Sequence, residues 1–442
     1  MDNMDIVNQI KEKGIVGAGG AGFPAHVKLG SNAETVIVNG AECEPLLHKD
    51  KEILKLKTET FLNGLRILMK AVNAKKAIIA VKKKNTDLIK HLQPLLDETM
   101  ELSPLRDFYP SGDEITLIYE TTGRIIGAGS LPITEGIVVS NVETILNMGI
   151  DTPVLTKFLN VAGHAKRVNS FEVPLGISYR EVINYAGPTL EQYSVLVGGP
   201  MMGKLVDNLD DVVTKTTSAL IILPQDHILV TKYKTIDSPK QVHQIGKAAC
   251  DQCTLCTELC PRYLLGHPIQ PHLAMRSLVF SGPEITNAAD THTLYCCECN
   301  LCSFIACPEG LYPGSVCGSA KRKINAKGIK HTGSISNQAH PLADYRRTPS
   351  KKLKRMLSLN QFKDEGPLVA FDYQPSTLRI KLQQHIGAPA MAIVKTNTLL
   401  RAGEKIATMG DKLGSELHSP LDGLVTDVTD THITIQSAHP SN

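Results

Sequence analysis

Short apolar runs alternate with longer amphipathic stretches over the first third of the chain. The runs at 35–38, 77–81 and 137–139 have the length and the β-branched content of buried strands. Apolar positions at helical spacing, or acids after a turn, predict helices at 5–13, roughly 52–72, 86–97 and after the turn at 109–114. This alternation predicts an α/β domain with a largely parallel sheet.

Polar residues follow two of these predicted strands. The first strand runs into Asn39-Gly40-Ala41-Glu42-Cys43-Glu44, and the strand at 137–139 runs into Ser140-Asn141-Val142-Glu143-Thr144. Ligands of open α/β sheets lie just beyond the carboxyl ends of the strands. Both segments are therefore candidates for a binding site.

A glycine-rich segment precedes the first strand. Residues 17–22 contain four glycines, and Lys28 follows shortly afterwards. Such a loop lets backbone N–H groups approach a ligand closely and form an anion nest, for which a phosphate is the natural guest. Taken alone, the loop is equally compatible with a plain flexible connection.

The pattern changes after residue 155. Residues 156–235 predict short strands around one helix, and residues 376–442 predict a further β region punctuated by glycines. Between them, an apolar helical stretch is predicted near 273–280. The chain therefore combines an α/β part with smaller α+β and all-β parts.

Eight cysteines form two runs in the middle of the chain. The first run reads C-x2-C-x2-C-x3-C-P and the second reads C-x2-C-x2-C-x4-C-P. The first spacing is that of a 4Fe–4S ligand run, in which the fourth cysteine ligates the other cluster of a two-cluster ferredoxin. We therefore predict one cluster on Cys250, Cys253, Cys256 and Cys307, and another on Cys296, Cys299, Cys302 and Cys260.

Other uses of these cysteines fit the spacing less well. Zinc sites use paired C-x-x-C units and give no role to a third cysteine two residues further on. Disulfides need an oxidising compartment, and the N-terminal residues contain no apolar signal core. Cys43, Cys297 and Cys317 remain, and we expect them to be small buried apolar residues.

Length and charge set further limits. The 442 residues predict two to four domains. A net charge of +3 gives no basis for nucleic-acid binding, and no apolar run reaches the length of a membrane span. We expect a cytoplasmic, reduced protein. A basic run at 346–355 is either a solvated helix face or a docking patch for an acidic electron-transfer partner.

The motifs G-x-G-G-A-G-F-P-x-x-x-K, N-x-x-E-x-E-P and S-N-V-E-T together resemble the flavin domain shared by the NADH-binding subunit of respiratory complex I and the C subunit of the Rnf complex. This resemblance implies FMN and NADH as ligands. The FMN candidates that it implies are Gly17, Gly19, Gly20, Lys28, Asn39, Asn141 and Thr144. It also implies that Glu42, Glu44 and Glu143 lie on the nicotinamide side.

The rest of the chain resembles other modules of the same proteins. Residues after 155 resemble the β-grasp (SLBB) domain, for which a spacer role is the expectation. The C-terminal pattern resembles a barrel-sandwich hybrid of the lipoyl type. Its hairpin tip, Ser419-Pro420-Leu421-Asp422-Gly423, has no lysine, so we expect no lipoate or biotin.

All the parts in this order resemble the PduS-type cobalamin reductases of propanediol-utilisation microcompartments. The predicted fold is multidomain α/β and α+β, with a Rossmann-like first domain. The predicted divisions are 1–155 (FMN/NADH domain), 156–238 (β-grasp), 239–330 (ferredoxin-like, two 4Fe–4S clusters), 331–372 (basic linker) and 373–442 (barrel-sandwich hybrid).

The resemblance implies an oxidoreductase that passes electrons from NADH through FMN and two 4Fe–4S clusters to cobalamin. It implies cobalamin or a corrinoid-handling enzyme as partner, together with microcompartment enzymes or shell, and a location inside a bacterial microcompartment. No catalytic side chain is expected, because the cofactors carry the chemistry. An electron-transfer subunit that serves another protein acceptor, as in Rnf, is the alternative. A third hypothesis is a scaffold with purely structural clusters.

Overall fold

The structure is a computed structural model that describes residues 3–280, 288–331 and 338–440. Parts of the predicted divisions, at 281–287 and 332–337, lie outside the described residues. The α-helices are α1 (Asn3–Glu12), α2 (Ala25–Leu29), α3 (Lys49–Leu56), α4 (Thr58–Ala71), α5 (Thr86–Leu92), α6 (Glu114–Thr122), α7 (Val142–Gly149), α8 (Tyr179–Ala186), α9 (Ile228–Ile236), α10 (Pro239–Ala249), α11 (Leu255–Glu258), α12 (Pro261–Leu264), α13 (Pro271–Phe280), α14 (Pro313–Ala326) and α15 (Ser350–Met356).

The strands form five sheets within the described ranges. They are β1 (Thr35–Gly40), β2 (Lys76–Lys82), β3 (Met100–Leu105), β4 (Phe108–Tyr109), β5 (Ile137–Asn141), β6 (Thr156–Gly163), β7 (Asn169–Pro174), β8 (Ser194–Val197), β9 (Lys204–Val206), β10 (Ala219–Leu223), β11 (Thr348–Pro349), β12 (Leu368–Val369), β13 (Thr377–Lys381), β14 (Met391–Ala392), β15 (Leu399–Leu400), β16 (Lys405–Thr408), β17 (Leu417–His418), β18 (Gly423–Val428) and β19 (His432–Ser437).

The first sheet is parallel throughout, in the order β3-β2-β1-β5. Alternate strand residues face opposite layers, so Val36 and Val38 pack with the core of α4 and α7, whereas Ile37 packs with α6. Helices α4 and α7 cross closely because Gly64 leaves its side-chain space to the backbone of Ile145. The carboxyl ends of β1 and β5 consequently open at one edge.

Two helix predictions for this part need correction, and one strand was missed. The predicted helix at 52–72 is two helices, α3 and α4, which meet at Lys57, and the hydroxyl of Thr58 donates to the carbonyl of Leu54 at this break. The helix predicted at 86–97 ends at Leu92, just before a 3-10 turn that contains Pro94. Strand β3 was not predicted, because its residues between the two ends are polar or partly exposed.

The second sheet is mixed, in the order β12-β7-β6-β10-β8-β9, and α8 contributes buried residues to the same core. Helix α8 begins in a capping box, in which Ser178 and Glu181 bind each other's backbone N–H groups. Strand β12 comes from 368–369, far along the chain. The sheet is therefore completed by a segment that was predicted to be a linker.

The predicted basic linker at 331–372 is largely built into the protein. Strand β11 pairs with β4, α15 buries Leu353, and β12 joins the second sheet. Arg347 pairs with Glu120 at 2.9 Å, and both side chains are buried. The basic run thus contributes to packing, which local charge alone did not reveal.

Helices α10–α14 surround the cysteine runs, with the helix predicted near 273–280 present as α13. The C-terminal part consists of two small sheets, β13-β19-β18-β15 and β14-β16-β17. Among the described ranges, no helix combines the length and the apolar character that crossing a membrane requires.

Candidate functional site: a glycine-lined cleft and two sets of thiols

A cleft of about 300 Å³ opens at the carboxyl ends of β1 and β5. The glycine loop forms one wall, the end of β5 with the start of α7 forms another, and the turn before α6 closes a third side. All seven predicted FMN residues line it: Gly17, Gly19, Gly20, Lys28, Asn39, Asn141 and Thr144. The volume lies at the lower end of the range for small-molecule sites.

The glycine loop is held by contacts with its own ends and with α7. The N–H of Gly17 donates to the carbonyl of Phe23 at 2.9 Å, and the N–H of Ala18 donates to the hydroxyl of Thr144 at 2.9 Å. A β-carbon at Gly19 would lie 2.8 Å from the side-chain nitrogen of Asn141, whereas one at Gly20 would meet no protein atom within 4 Å. The loop thus forms a cradle that only a residue without a side chain permits at Gly19.

Lys28 supplies the positive charge of the cleft. Its Nζ donates to the carbonyl of Val139 and to Glu114 Oε1, each at 3.2 Å, and both ionic side chains are about 40% exposed. A partly exposed ammonium beside a glycine loop can bind a phosphate. The chemistry of this wall therefore fits the phosphate of FMN.

Two amides fix the remaining polar wall. Asn39 Nδ2 donates to the carbonyl of Gly112 at 2.9 Å, which ties the end of β1 to the turn before α6. Asn141 Oδ1 accepts from the N–H of Glu143 and caps α7, while its Nδ2 donates to Asp50 Oδ2 at 2.8 Å. Each amide is held in one orientation at the cleft surface.

The three glutamates predicted for the nicotinamide side do not line this cleft. Glu42 accepts from the N–H groups of Asp50 and Lys51 at the start of α3. Glu44 accepts from the N–H groups of Met201 and Met202, in a loop after β8, at 2.8 and 3.0 Å. Burial raises the pKa of both glutamates to about 7. Through these hydrogen bonds, Glu42 connects the segment after β1 to α3, and Glu44 connects it to the loop after β8.

Glu143 lies at the centre of a buried ionic cluster beneath the cleft. Its Oε2 accepts from Lys157 at 2.7 Å and from Lys49 at 2.8 Å, and Lys49 also pairs with Asp50 at 2.7 Å. Burial alone would raise the pKa of Glu143, but the charges of Lys157 and Lys49 outweigh burial and lower it. Lys157 also donates to the carbonyl of Ala18, so the cluster reaches the glycine loop.

Sequence reasoning missed Lys49, Asp50 and Lys157. Lys157 lies on β6, next to the apolar pair Phe158-Leu159, and it is only 1% exposed. A lysine beside an apolar pair, in a region predicted to form short strands, was the available signal, since a buried charge needs a partner. Its partner is distant in the chain, which no local pattern reveals.

The cysteines lie in two groups. Cys250, Cys253, Cys256 and Cys307 line one small cavity together with residues of α13. This grouping joins the last cysteine of the second run to the first three of the first run. It fits the crossed ligand set, and four thiols are the donor set of a 4Fe–4S cluster.

The other four ligand candidates are all buried. Burial raises the pKa of Cys302 well above its ordinary value, and the neighbouring thiols of Cys296 and Cys260 raise it further. Cys260 thus lies near the second run, as the crossed set requires. Of the leftover cysteines, Cys317 is buried as expected, while Cys297 and Cys43 are partly exposed.

Family models recognise three parts of the chain. Residues 10–149 match the Nuo51 FMN-binding domain, residues 249–312 match a 4Fe–4S dicluster domain, and residues 362–441 match the RnfC barrel sandwich hybrid domain. The chain therefore carries an FMN-binding part and a part for two 4Fe–4S clusters. The predicted flavin, iron–sulfur and hybrid modules are confirmed.

Individual relatives and a solved structure complete this comparison. The C subunit of the Na⁺-translocating ferredoxin:NAD⁺ oxidoreductase complex of Acetobacterium woodii is 33% identical over 60% of this chain and 59% of its own. A solved NAD⁺-reducing NiFe hydrogenase in the air-oxidised state shares the fold, with a TM-score of 0.50 and 20% identity over 81% of this chain and 68% of its own. The cobalamin reductases PduS of Citrobacter freundii and Salmonella typhimurium are each 38% identical over 98% of this chain and cover 97% and 96% of their own lengths. The chain therefore belongs to the PduS family of cobalamin reductases.

Proposed function

We propose that this protein uses NADH to reduce cobalamin, with FMN in the glycine-lined cleft and two 4Fe–4S clusters on the crossed thiol sets. The observation that carries this proposal is a hydrogen bond between the turn beside the cleft and the cysteine region. Arg262, two residues after Cys260, donates to Asp113 at 2.6 Å, and Asp113 lies between two residues of the cleft wall. A hydrogen-bonded connection between the proposed flavin and iron–sulfur sites suits electron transfer within a single chain.

For FMN, we propose that the loop glycines Gly17, Gly19 and Gly20 and the ammonium of Lys28 hold the phosphate. Asn39, Asn141 and Thr144 line the wall beyond the loop and hold the remainder of the ligand. The support is that all of these residues line one cleft and that its amides are already oriented by protein partners. Such preorganisation lowers the ordering cost of binding.

For NADH, we propose that the three glutamates act indirectly, by holding the residues around the cleft in place. Glu42 holds the start of α3, which carries Asp50, the partner of Asn141. Glu143 anchors the lysine that binds the glycine loop. Glu42 thus helps to position Asn141, and Glu143 helps to position the glycine loop. Glu44 connects the segment after β1 to the loop after β8 in the second sheet.

The cofactors supply the redox chemistry: a flavin accepts a hydride and releases electrons singly to one-electron iron–sulfur carriers. The protein residues bind and orient these groups, set the distances between them and control the access of water. The thiol set with Cys260 is buried, which keeps water from that site.

We also propose the division into a Rossmann-like part (1–155), a β-grasp part (156–238), a ferredoxin-like part (239–330), a connecting segment (331–372) and a hybrid part (373–442). The parallel first sheet and the mixed second sheet support the first two assignments. As the family resemblance implies, we propose a location in a bacterial microcompartment, with its enzymes or shell as partners. Co-sedimentation with purified microcompartments tests this location.

The test of the function is an anaerobic NADH titration of reconstituted protein, followed by visible absorption and electron paramagnetic resonance. We expect flavin bleaching, paramagnetic signals from two reduced clusters, and cob(II)alamin when aquocobalamin is added. NADH that bleaches the flavin without forming cob(II)alamin would exclude cobalamin as the direct acceptor. NADH that leaves the flavin oxidised would exclude it as the donor.

A second candidate is an electron-transfer subunit for another protein, as in the Rnf relatives. The exposed Lys351, Lys352 and Arg355 on α15 favour it, because they present positive charge to solvent. Reduction of a flavodoxin-like acidic protein that slows with salt, in the absence of cobalamin reduction, would support this candidate.

A further inference from the structure

The two thiol sets differ in their exposure to solvent. We call the set Cys260, Cys296, Cys299 and Cys302 the inner set, since each of these residues is less than 10% exposed. We call the set Cys250, Cys253, Cys256 and Cys307 the outer set, since Cys253 is exposed and Cys250 and Cys307 are partly exposed. The structure therefore distinguishes two sites that the sequence motif leaves equivalent.

The inner set is bonded to the wall of the flavin cleft. Tyr109 Oη donates to the carbonyl of Cys299 at 2.8 Å, and Arg262 bonds Asp113. Gly112 and Glu114, on either side of Asp113, line the cleft. Two hydrogen bonds thus connect the loops of the inner set to the turn 109–114.

The cavity of the outer set is separate from the cleft. This cavity is lined by His272 and Met275 of α13 and by Leu311 and Pro313, and none of the described lining residues comes from the first sheet or its helices. Helix α11, which carries Cys256, packs against the turn 302–306 that begins with Cys302 of the inner set. The segments that carry the inner set therefore contact both the turn beside the cleft and the helix that carries Cys256 of the outer set.

We propose that the outer set is the electron exit of the protein and that the surface around Cys253 is where the acceptor docks. This inference rests on the proposed function. The exposed residues within three positions of an outer cysteine in sequence are Lys247, Ala248, Ala249, Asp251, Leu255, Pro308, Glu309 and Gly310. Asp251 and Glu309 lie one and two residues from an outer cysteine, closer in sequence than Lys247, and most of the other exposed residues are apolar. Carboxylates on an otherwise apolar surface fit a cationic, partly apolar metal complex, and a cob(III)alamin has this chemistry.

The electrons released by NADH equal those taken up by cobalamin, so no further reactant is needed. One NADH gives NAD⁺, one proton and two electrons, and each cob(III)alamin that reaches the docking surface takes one electron and becomes cob(II)alamin. Two acceptors are therefore reduced per NADH, one after the other at the same surface.

The first test measures exposure and is independent of activity. Cys253→Ala and Cys260→Ala each remove or alter one of the two paramagnetic signals and so assign them to the outer and inner sets. A soluble dysprosium chelate should then relax the outer signal of the reduced wild-type protein several-fold more than the inner signal. Equal relaxation, or stronger relaxation of the inner signal, would overturn the assignment of the exit.

The second test measures docking in prereduced protein mixed rapidly with an acceptor. Glu309→Lys should slow cluster reoxidation by cationic aquocobalamin by about threefold at low salt and accelerate reoxidation by anionic ferricyanide. The matched control is Glu191→Lys, since Glu191 is an exposed acid in a loop before β8. Identical effects of the two variants would reject the docking surface.

The two acceptors separate this inference from the proposed function. If cobalamin is not an acceptor at all, the proposed function fails, whereas ferricyanide and the dysprosium chelate still report which thiol set faces solvent. If cobalamin is reduced but Glu309→Lys has no effect on either acceptor, the docking surface fails and the function stands.

Discussion

At the scale of single residues, Gly19 lets the glycine loop pack closely against the side chain of Asn141 in the cleft wall. An added β-carbon would lie 2.8 Å from Asn141 Nδ2, so Gly19→Ala should displace that side chain and break its hydrogen bond to Asp50. We expect FMN affinity to fall by about tenfold, corresponding to loss of roughly one hydrogen bond and some preorganisation. Flavin fluorescence during titration of the apoprotein measures this affinity.

Gly30→Ala is the matched control. Gly30 follows α2 close to the same cleft, but a β-carbon there would make only an ordinary contact, at 3.6 Å from the carbonyl of Val27. FMN affinity should therefore stay within about twofold of wild type. Equal affinity in both variants would reject the proposed fit between the loop and Asn141.

The buried ionic cluster predicts an effect on stability. Glu143→Gln removes the negative charge that pairs with the ammonium groups of Lys157 and Lys49 in a site that is almost fully buried. We expect the free energy of unfolding to fall by about 3–5 kcal/mol, and the glycine loop to lose order because Lys157 also binds Ala18. Urea unfolding followed by circular dichroism measures the first effect, and FMN retention measures the second.

An exposed pair provides the comparison for this variant. Glu101 and Lys76 are 2.8 Å apart, and both side chains are about half exposed. Glu101→Gln should change the free energy of unfolding by less than about 1 kcal/mol, because exposed pairs are screened by solvent. A similar loss in both variants would show that the buried cluster is not specially stabilising.

At the scale of elements, the hydrophobic pattern predicted three of the four strands of the parallel sheet. Residues 35–38, 77–81 and 137–139 lie in β1, β2 and β5, because buried parallel strands are short apolar runs. Strand β3 escaped prediction because its interior residues are polar or partly exposed. The two-residue strands β11 and β12 escaped because they are defined by their distant pairing partners.

The candidate site shows the same division between local and distant information. The glycine loop and the polar strand ends are local motifs, and the seven FMN candidates taken from them line one cleft, whereas the three glutamates do not. The orientation of Glu42 and Glu44 depends on α3 and on a loop of the second sheet. The contact of Glu44 could not be predicted, since its partner Met201 lies more than 150 residues away along the chain.

The two cysteine runs predict crossed ligation, in which the fourth cysteine of each run binds the cluster of the other run. Cys260 ends the first run and precedes α12, which begins with Pro261 and leads away from its own loop. Cys260→Ala should therefore remove the same paramagnetic signal as Cys296→Ala. If Cys260→Ala instead matches Cys250→Ala, each run binds its own cluster and the crossed assignment is wrong.

At the scale of the whole molecule, Lys215 joins three distant parts of the chain. Its Nζ donates to the carbonyls of Gly14 and Glu416 and to the hydroxyl of Ser415, at 2.7–2.9 Å. Ser415 also donates to Gly14. The C-terminal hybrid is therefore hydrogen-bonded both to the segment before the glycine loop and to the segment before β10.

His418 makes this junction sensitive to acid. It is buried on β17, and burial, followed by the nearby charges of Lys215 and Lys405, lowers its pKa to about 4, although Glu12 opposes this shift. The unfolded chain has an ordinary histidine pKa near 6.5, so it binds more protons than the folded protein between about pH 4 and 6.5. Stability from this site is therefore present above pH 6.5 and is lost as the pH falls towards 4.

His418→Asn should remove this part of the pH dependence. Between pH 7 and pH 4.5, we expect wild type to lose on the order of 2 kcal/mol more unfolding free energy than the variant. Urea unfolding across this range measures the difference, and comparison within each pH cancels the acid lability of the clusters. His439→Asn, at an exposed histidine near the C-terminus, should follow wild type. Parallel curves for wild type and His418→Asn would show that the junction does not respond to this histidine.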